Sequence, residues 1–358
     1  MKKIFFVIIT GVLLPLTVQA GEVTYSLEGH AQAAYGYSKA KKHHHGVGKS
    51  NLDSAVGYEF DEGNSISLHA DIMAGADREL KDYNQGEWGE EVYAIADTEY
   101  GQLMVGQVYN VASLFHNGAP STGVLGSNSD VVDFLHNPNW RRNEKETKFA
   151  TLIATDINTD GVSPKINYIT PEYYGTAIGF SWIPDSYNRR GLNNKHAGYA
   201  HKDGFATALY SDHRWGNINS KTSVGYGQYH GNDKEFSLSQ SLNRGNWTIG
   251  AGWHKTYIDG DNKATPNRIL PTDFDGYREG YAWNVGLGYE IGPFSATLSY
   301  FKSKQKDKDN QNEIIVWSNA FQFNKYVDLY LAAAGLNYRS DGQKDKGCAG
   351  LIGVGVNF

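Results

Sequence analysis

Tyr281-Ala282-Trp283-Asn284-Val285-Gly286-Leu287-Gly288-Tyr289-Glu290-Ile291 alternates without a break. Tyr281, Trp283, Val285, Leu287, Tyr289 and Ile291 fall on one side, and Asn284, Gly286, Gly288 and Glu290 on the other. A period of two is the signature of a strand with two different faces. The apolar face carries rings at both ends and aliphatic residues between them. A soluble β-sandwich has no need of that arrangement. A strand crossing a bilayer does, because Tyr and Trp settle at the two lipid–water interfaces. Gly292-Pro293 then turns the chain into the next alternating run, residues 294–302.

The same rhythm runs through most of the chain. Toward the N-terminus, Tyr25, Leu27, Gly29, Ala31, Ala33, Tyr35 and Tyr37 oppose Ser26, Glu28, His30 and Gln32 over residues 23–38, and residues 39–50 read as a polar loop. Leu52, Val56, Tyr58 and Phe60 oppose Asp53 and Glu59; Ile66, Leu68, Ala70 and Ile72 oppose Ser67, His69 and Asp71. Further strands fall at 90–97, 102–108, 165–170, 176–182, 205–210, 218–229, 235–242, 247–258, 313–323, 327–339 and 347–358, with 185–214 read as a loop and a single strand. Turns after even-numbered strands are short and loops after odd-numbered strands are generally longer and polar, as in outer-membrane barrels. A β-propeller would repeat at roughly 40 residues, and no such repeat is found. The expectation is an all-β transmembrane antiparallel barrel of about 16 strands, closed because hydrocarbon forbids sheet edges, and too wide for side chains to fill.

Composition agrees. The 24 Tyr and 8 Trp supply interfacial rings, and the 41 Gly against 9 Pro suit tight turns and crowded walls. A mean hydropathy of -0.51 does not argue against a membrane, because lipid-facing and water-facing residues cancel in the average. Residues 1–20 read as a secretory signal peptide: Lys2 and Lys3, an apolar run, then Val18-Gln19-Ala20. Its removal takes two lysines and no acids, moving the net charge from -6 to -8, so a basic nucleic-acid surface is not supported. Cys348 is the only cysteine, which excludes an intrachain disulfide.

Between Tyr109 and Ser163 the alternation stops, although structureless loops beyond about 15 residues are uncommon and usually functional or disordered. Asp130, Asp133, Arg141, Arg142, Glu144, Lys145, Glu146 and Lys148 lie there. The reading is a loop, after the fifth strand, that folds into the lumen and narrows it.

Two segments resemble a known family. Ile352-Gly353-Val354-Gly355-Val356-Asn357-Phe358 resembles the C-terminal assembly signal of outer-membrane proteins. Residues 164–175, running on through Phe180-Ser181-Trp182-Ile183-Pro184-Asp185, are similar to the sixth and seventh strands of Gram-negative general porins. The resemblance implies a signal peptide over 1–20, a barrel over 21–358, and a homotrimer in outer-membrane lipid and lipopolysaccharide. It further implies a third extracellular loop, 109–163, acting as a constriction through which small solutes and ions diffuse, with no chemistry performed. That family sets loop acids against a basic wall. Here Asp130 and Asp133 supply the acids, but the facing wall carries Asp53, Glu59, His69 and Asp71. Lys165, Arg141 and Arg142 are the nearest basic residues, so the expected lean is toward cations or neutral solutes.

The constriction is therefore expected at Asp130, Asp133, Arg141, Arg142, Glu144, Lys165, His69 and Asp71, with Arg141 and Arg142 either lining the water path or pairing with Glu144 and Glu146. Asp156-Ile157-Asn158-Thr159-Asp160-Gly161 matches the first half of a calcium loop, but Asn167 stands where the bidentate Glu belongs. That leaves a looser structural calcium site on Asp156, Asn158 and Asp160 beside the default of an Asx-rich turn. His43-His44-His45 is a weak metal candidate, since three consecutive residues of an extended segment do not converge. Neither Gly-x-Ser-x-Gly nor His-Glu-x-x-His occurs, so enzyme chemistry is not indicated. A substrate-selective porin with a lumenal aromatic track is the near alternative; an outer-membrane lipid enzyme or a surface-binding barrel is the distant one.

Overall fold

The computed structural model describes residues 21–39, 43–60, 63–75, 91–123, 125, 152, 154–184, 203–229, 233–257, 279–306, 309–340 and 343–358. Its strands are β1 (Glu22–Ser38), β2 (His43–Glu59), β3 (Ser65–Gly75), β4 (Glu91–Thr98), β5 (Gly101–Gln107), β6 (Pro164–Ile169), β7 (Thr176–Ile183) and β8 (Gly204–Trp215). They continue as β9 (Ile218–Tyr229), β10 (Asp233–Arg244), β11 (Trp247–Tyr257), β12 (Gly280–Ile291), β13 (Phe294–Gln305), β14 (Gln311–Asn324), β15 (Val327–Ser340) and β16 (Gln343–Asn357). Each pairs antiparallel with its sequence neighbours, and β16 returns to β1, so the sheet is a closed barrel. The short turns are tight. Gly245 and Gly292, with φ of 57° and 54°, take the first central position of two-residue turns, a conformation that L side chains resist. The segment 1–20 lies outside the described residues.

The β1–β16 ladder that closes the barrel, from Ser38 opposite Ala349 to His30 opposite Asn357, is extended by the last residue. Gly29 N–H donates to the Phe358 carbonyl at 2.8 Å, and Phe358 N–H to the Gly29 carbonyl at 2.9 Å. The Phe358 ring lies where a Gly29 side chain would stand. Beside it, His30 Nδ1 meets Asn357 Oδ1 at 2.6 Å, and Asn357 Nδ2 donates to Asp328 Oδ2 at 2.9 Å. The C-terminal aromatic thus fills a gap that only glycine leaves open.

The outer face carries the predicted stripes. Trp283 packs on Tyr300 at 5.3 Å between ring centroids, and Trp247 on Tyr289 at 4.5 Å. A run of ring contacts passes from Phe180 through Phe205, Tyr226 and Phe236 to Tyr257. On β2–β5 the exposed outward residues are mainly aliphatic, including Val56, Ile66, Leu68, Val92 and Val105. One expectation fails. Most of the predicted loop 39–50 is strand, because β1 and β2 stay paired up to Ser38 and His43. A ladder is made by backbone hydrogen bonds, so it continues through residues whose side chains carry no apolar–polar period.

The chain after β5 enters the lumen. Asn110 caps a four-residue helix, α1 (Val111–Leu114), by accepting from Ala112 N–H and Ser113 N–H at 2.9 and 3.0 Å. Val111, Ala112 and Ile157 then bury against Ile183, Ala206, Ala208 and Tyr229, each full aliphatic burial stabilising by about 1.5–3 kcal/mol. The wall makes room by omitting side chains. A Cβ on Gly179 would stand 2.7 Å from Val111 Cβ, one on Gly225 2.9 Å from Ala112 Cβ, and one on Gly286 3.1 Å from Ala119 Cβ. Farther round, Leu125 and Leu152 join inward residues of β12–β16 and β1, including Phe301, Val316, Tyr330 and Leu351, in a second buried cluster. The lumen of β6–β16 is therefore largely covered.

Two substitutions test these contacts. Gly29→Val drives the Phe358 ring from its place, and overpacking of this kind costs about 1–3 kcal/mol. The variant should refold into detergent with a lower yield of the compact, gel-shifted barrel; an unchanged yield and urea midpoint would mean the seam does not depend on this fit. Gly250→Ala brings a methyl onto the Gly118 carbonyl. It should lift the 117–120 segment toward the water path and lower single-channel conductance, whereas wild-type conductance would show that the wall tolerates the methyl.

Candidate lumenal site

The part of the wall left bare is acidic. Register places Glu28 opposite Asp53, Asp53 opposite Asp71, and Asp71 opposite Glu91. Neighbouring antiparallel strands hold such partners about 4.5–5.5 Å apart at Cα, so four carboxylates form one row across β1–β4. Glu28 and Asp53 are exposed, and Asp71 and Glu91 half-buried. Nearer the short turns, Glu22 faces Glu59, and Asp97 joins through Ser65. Lys49, opposite Gln32, holds the one Lys or Arg position at an inward register on β1–β5. Like charges set directly opposite one another destabilise a sheet, so packing gives no reason for this row. His69 lies beside it, bonded through Nε2 to Ser67 Oγ at 2.8 Å and stacked on Tyr93 with centroids 5.1 Å apart.

The covering loop is tied down at its two ends by a buried polar hub. Asn110 Nδ2 donates to the Ile157 carbonyl at 2.8 Å and to Asp160 Oδ1 at 2.6 Å, and the Tyr229 hydroxyl donates to the same oxygen at 3.1 Å. Lys165 Nζ lies 2.9 Å from Asp160 Oδ2 and donates to the carbonyls of Gly161, Ser163 and Val108. Neither charged side chain of that pair has accessible surface. Losing one partner would strand a buried charge, worth about 3–5 kcal/mol. A second set lies farther in. Thr159 Oγ1 donates to Glu235 Oε1, and His254 Nε2 meets Glu235 Oε2 at 3.1 Å. Asn284 Nδ2 donates to Thr155 Oγ1 at 3.1 Å, which is bonded to His116 Nε2 at 2.9 Å.

These positions revise several sequence expectations. Lys165 does not reach the water path. Its β6 position lies beneath both ends of the loop, where three carbonyls and Asp160 absorb the ammonium. Asp160 and the Asn158 carbonyl are likewise committed, to Lys165 and to Gly161 N–H at 2.9 Å, and Asp156 Oδ2 accepts from Ser113 Oγ at 2.8 Å. In this structure the half-match to a calcium loop is a turn in which Asp160 pairs with Lys165. Among the described residues no group of three or more His, Cys, Asp and Glu gathers for a metal. Asp130, Asp133, Arg141, Arg142 and Glu144 lie outside the described residues. His69 and Asp71 are inward, as read. Glu28 and Glu91 complete the row and were missed as site residues, although Glu28 stood in the polar stripe. Asn110, His116, Glu235 and His254 were missed because contacts across the lumen leave no local pattern. Four inward aromatics, Tyr229, Phe301, Tyr330 and Tyr338, are buried, and half-buried Tyr93 has one face taken by His69.

Comparison with known proteins fits this geometry. The family model for Gram-negative porins matches residues 12–341. No curated protein matches the sequence. Among solved structures, a loop-deletion mutant of OmpT, an outer membrane protein of Vibrio cholerae, is 12% identical with a TM-score of 0.59, covering 94% of this chain and 99% of its own. The in-vitro folded trimer form of that protein is 13% identical with a TM-score of 0.57, over 95% and 99%. A mutant of the Rh. blastica porin is 12% identical with a TM-score of 0.53, over 94% and 100%. Identities this low speak for the fold alone; the family match covers nearly the whole chain. Closed barrel, lumenal loop and family match converge, and the chain belongs to the Gram-negative porins, channel-forming barrels of the outer membrane.

Proposed function

We propose that this porin passes small hydrophilic solutes and ions by passive diffusion, without chemistry, and favours cations. The observation that carries the preference is the row Glu28, Asp53, Asp71 and Glu91 on the wall the loop leaves bare. Pore selectivity follows diameter and lining charge, and acidic rings draw cations. A single charge about 8 Å from an ion in water contributes about 0.5 kcal/mol, and the row multiplies that.

We further propose that copies associate as trimers through the outer face of β2–β5, leaving the ring-bearing face of β7–β13 to lipid and lipopolysaccharide. The mainly aliphatic outward residues of β2–β5 support this, since interfacial rings belong where a wall meets lipid. A structural relative solved as a trimer supports self-association. Residues 1–20 would serve as the export signal.

Reversal potential across a salt gradient in planar bilayers tests the preference. Wild type should be cation-selective, and the triple variant Asp53→Asn, Asp71→Asn, Glu91→Gln should lose about threefold or more of the cation-to-anion permeability ratio at low salt, less at 1 M. An unchanged ratio would place selectivity elsewhere. The same recordings read assembly: insertion steps should come in threes, and uniform single steps would overturn the trimer.

A further inference from the structure

The seat of the loop contains two histidines, His116 on the loop and His254 on β11. With Nε2–H donating to Thr155 Oγ1, neutral His116 leaves only a lone pair at Nδ1, and a second proton has no acceptor there among the described residues. Nε2 is bonded to Thr155 Oγ1 at 2.9 Å, while Nδ1 is shut off from solvent with no hydrogen-bond partner among the described residues. The ring lies so close over Gly252 that a Cβ there would stand 2.9 Å from Nε2. An imidazolium would hold an N–H at Nδ1 aimed at no acceptor, and a buried donor left unmade costs about 1–3 kcal/mol, more when charged. The segment around His116 is otherwise held by neutral bonds: Asn117 N–H to Ser239 Oγ at 2.8 Å, and Ala119 N–H to Asn284 Oδ1 at 3.1 Å.

We propose that His116 is an acid-sensitive latch, and that its protonation unseats the 113–120 segment from the glycine-lined wall and changes the state of the channel. The charged and titratable groups around it are Asp156 on the returning strand of the loop, His254 on β11, and Glu235 on β10, which reaches it through His254. Burial pulls the His116 imidazole below the ordinary histidine value, His254 adds to that, and Asp156 opposes it. A histidine whose seated value is lowered binds its proton better when the loop is unseated. The seat is therefore full-strength above about pH 6.5 and weakens as pH falls from there toward the seated value, by up to about tenfold per pH unit for one proton.

The inference rests on the channel function but not on cation preference; reversal potential at pH 7.5 reads the preference, and acid-driven transitions read the latch. In planar bilayers, the rate of transitions between conductance levels should rise at least tenfold for wild type from pH 7.5 to pH 5. In His116→Gln that ratio should fall toward one, while His254→Gln keeps it. A flat wild-type response, or an acid response that survives His116→Gln, overturns the proposal. Should His116→Gln give no channels, hydrogen–deuterium exchange of wild type decides. Peptides covering 111–120 should exchange faster at pH 5 than at pH 7.5 after correction for intrinsic rates, and equal protection would overturn the latch.

Discussion

A sheet edge in hydrocarbon leaves a row of N–H and C=O groups without partners, each worth several kcal/mol. The remaining features of this protein follow from meeting that demand. Sixteen strands close the sheet, and the final contact is made by the chain's last residue against Gly29. Closing so many strands makes the interior too wide for wall side chains to meet across it. The chain fills part of that space from within, with the segment between β5 and β6. The wall receives it as a core receives a helix, through glycines on β7–β12 and an apolar patch on β12–β16.

Filling one side leaves the lumen with two unlike halves. On the covered side, the buried charges Asp160 and Lys165 are paired with each other and bonded to neighbouring polar groups. On the bare side, register sets carboxylates opposite carboxylates. The contrast follows from dielectric. In a dry interior an unpaired charge is prohibitive, while beside water the same repulsion is screened to a fraction of a kcal/mol. Beside water a row of like charges costs far less than it would in a dry interior.

Period-two alternation is imposed by lipid on one side and water on the other, so the strands and their parity were legible in Tyr281–Ile291 and its counterparts. At His43–Ser50 the period disappears while the ladder continues, and the strand was read as loop. The apolar lining of β14 and β15 had a signal that went unused: Ile314-Ile315-Val316-Trp317 and Leu329-Tyr330-Leu331-Ala332 are apolar on both faces, as strands buried on both sides are. The acids of the bare wall could be read from the same alternation, whereas the role of Lys165 could not. Its partners arrive from Val108, Asp160, Gly161 and Ser163, and only the folded loop shows that they converge.

The loop is fastened near its two ends, by α1 with Asn110 on one side and by the 154–163 segment on the other, and the fasteners include wall residues such as Tyr229, Glu235 and Asn284. This separates anchorage from cargo. The described members of the Asn110–Asp160–Lys165 hub all lie outside residues 126–151, an interval with a dense mixture of acids and bases. A substitution within that interval removes none of the fasteners named above. The mount is thus written into the two flanks of the loop and the wall beneath them, and the densest run of loop charges into a separate interval of the chain.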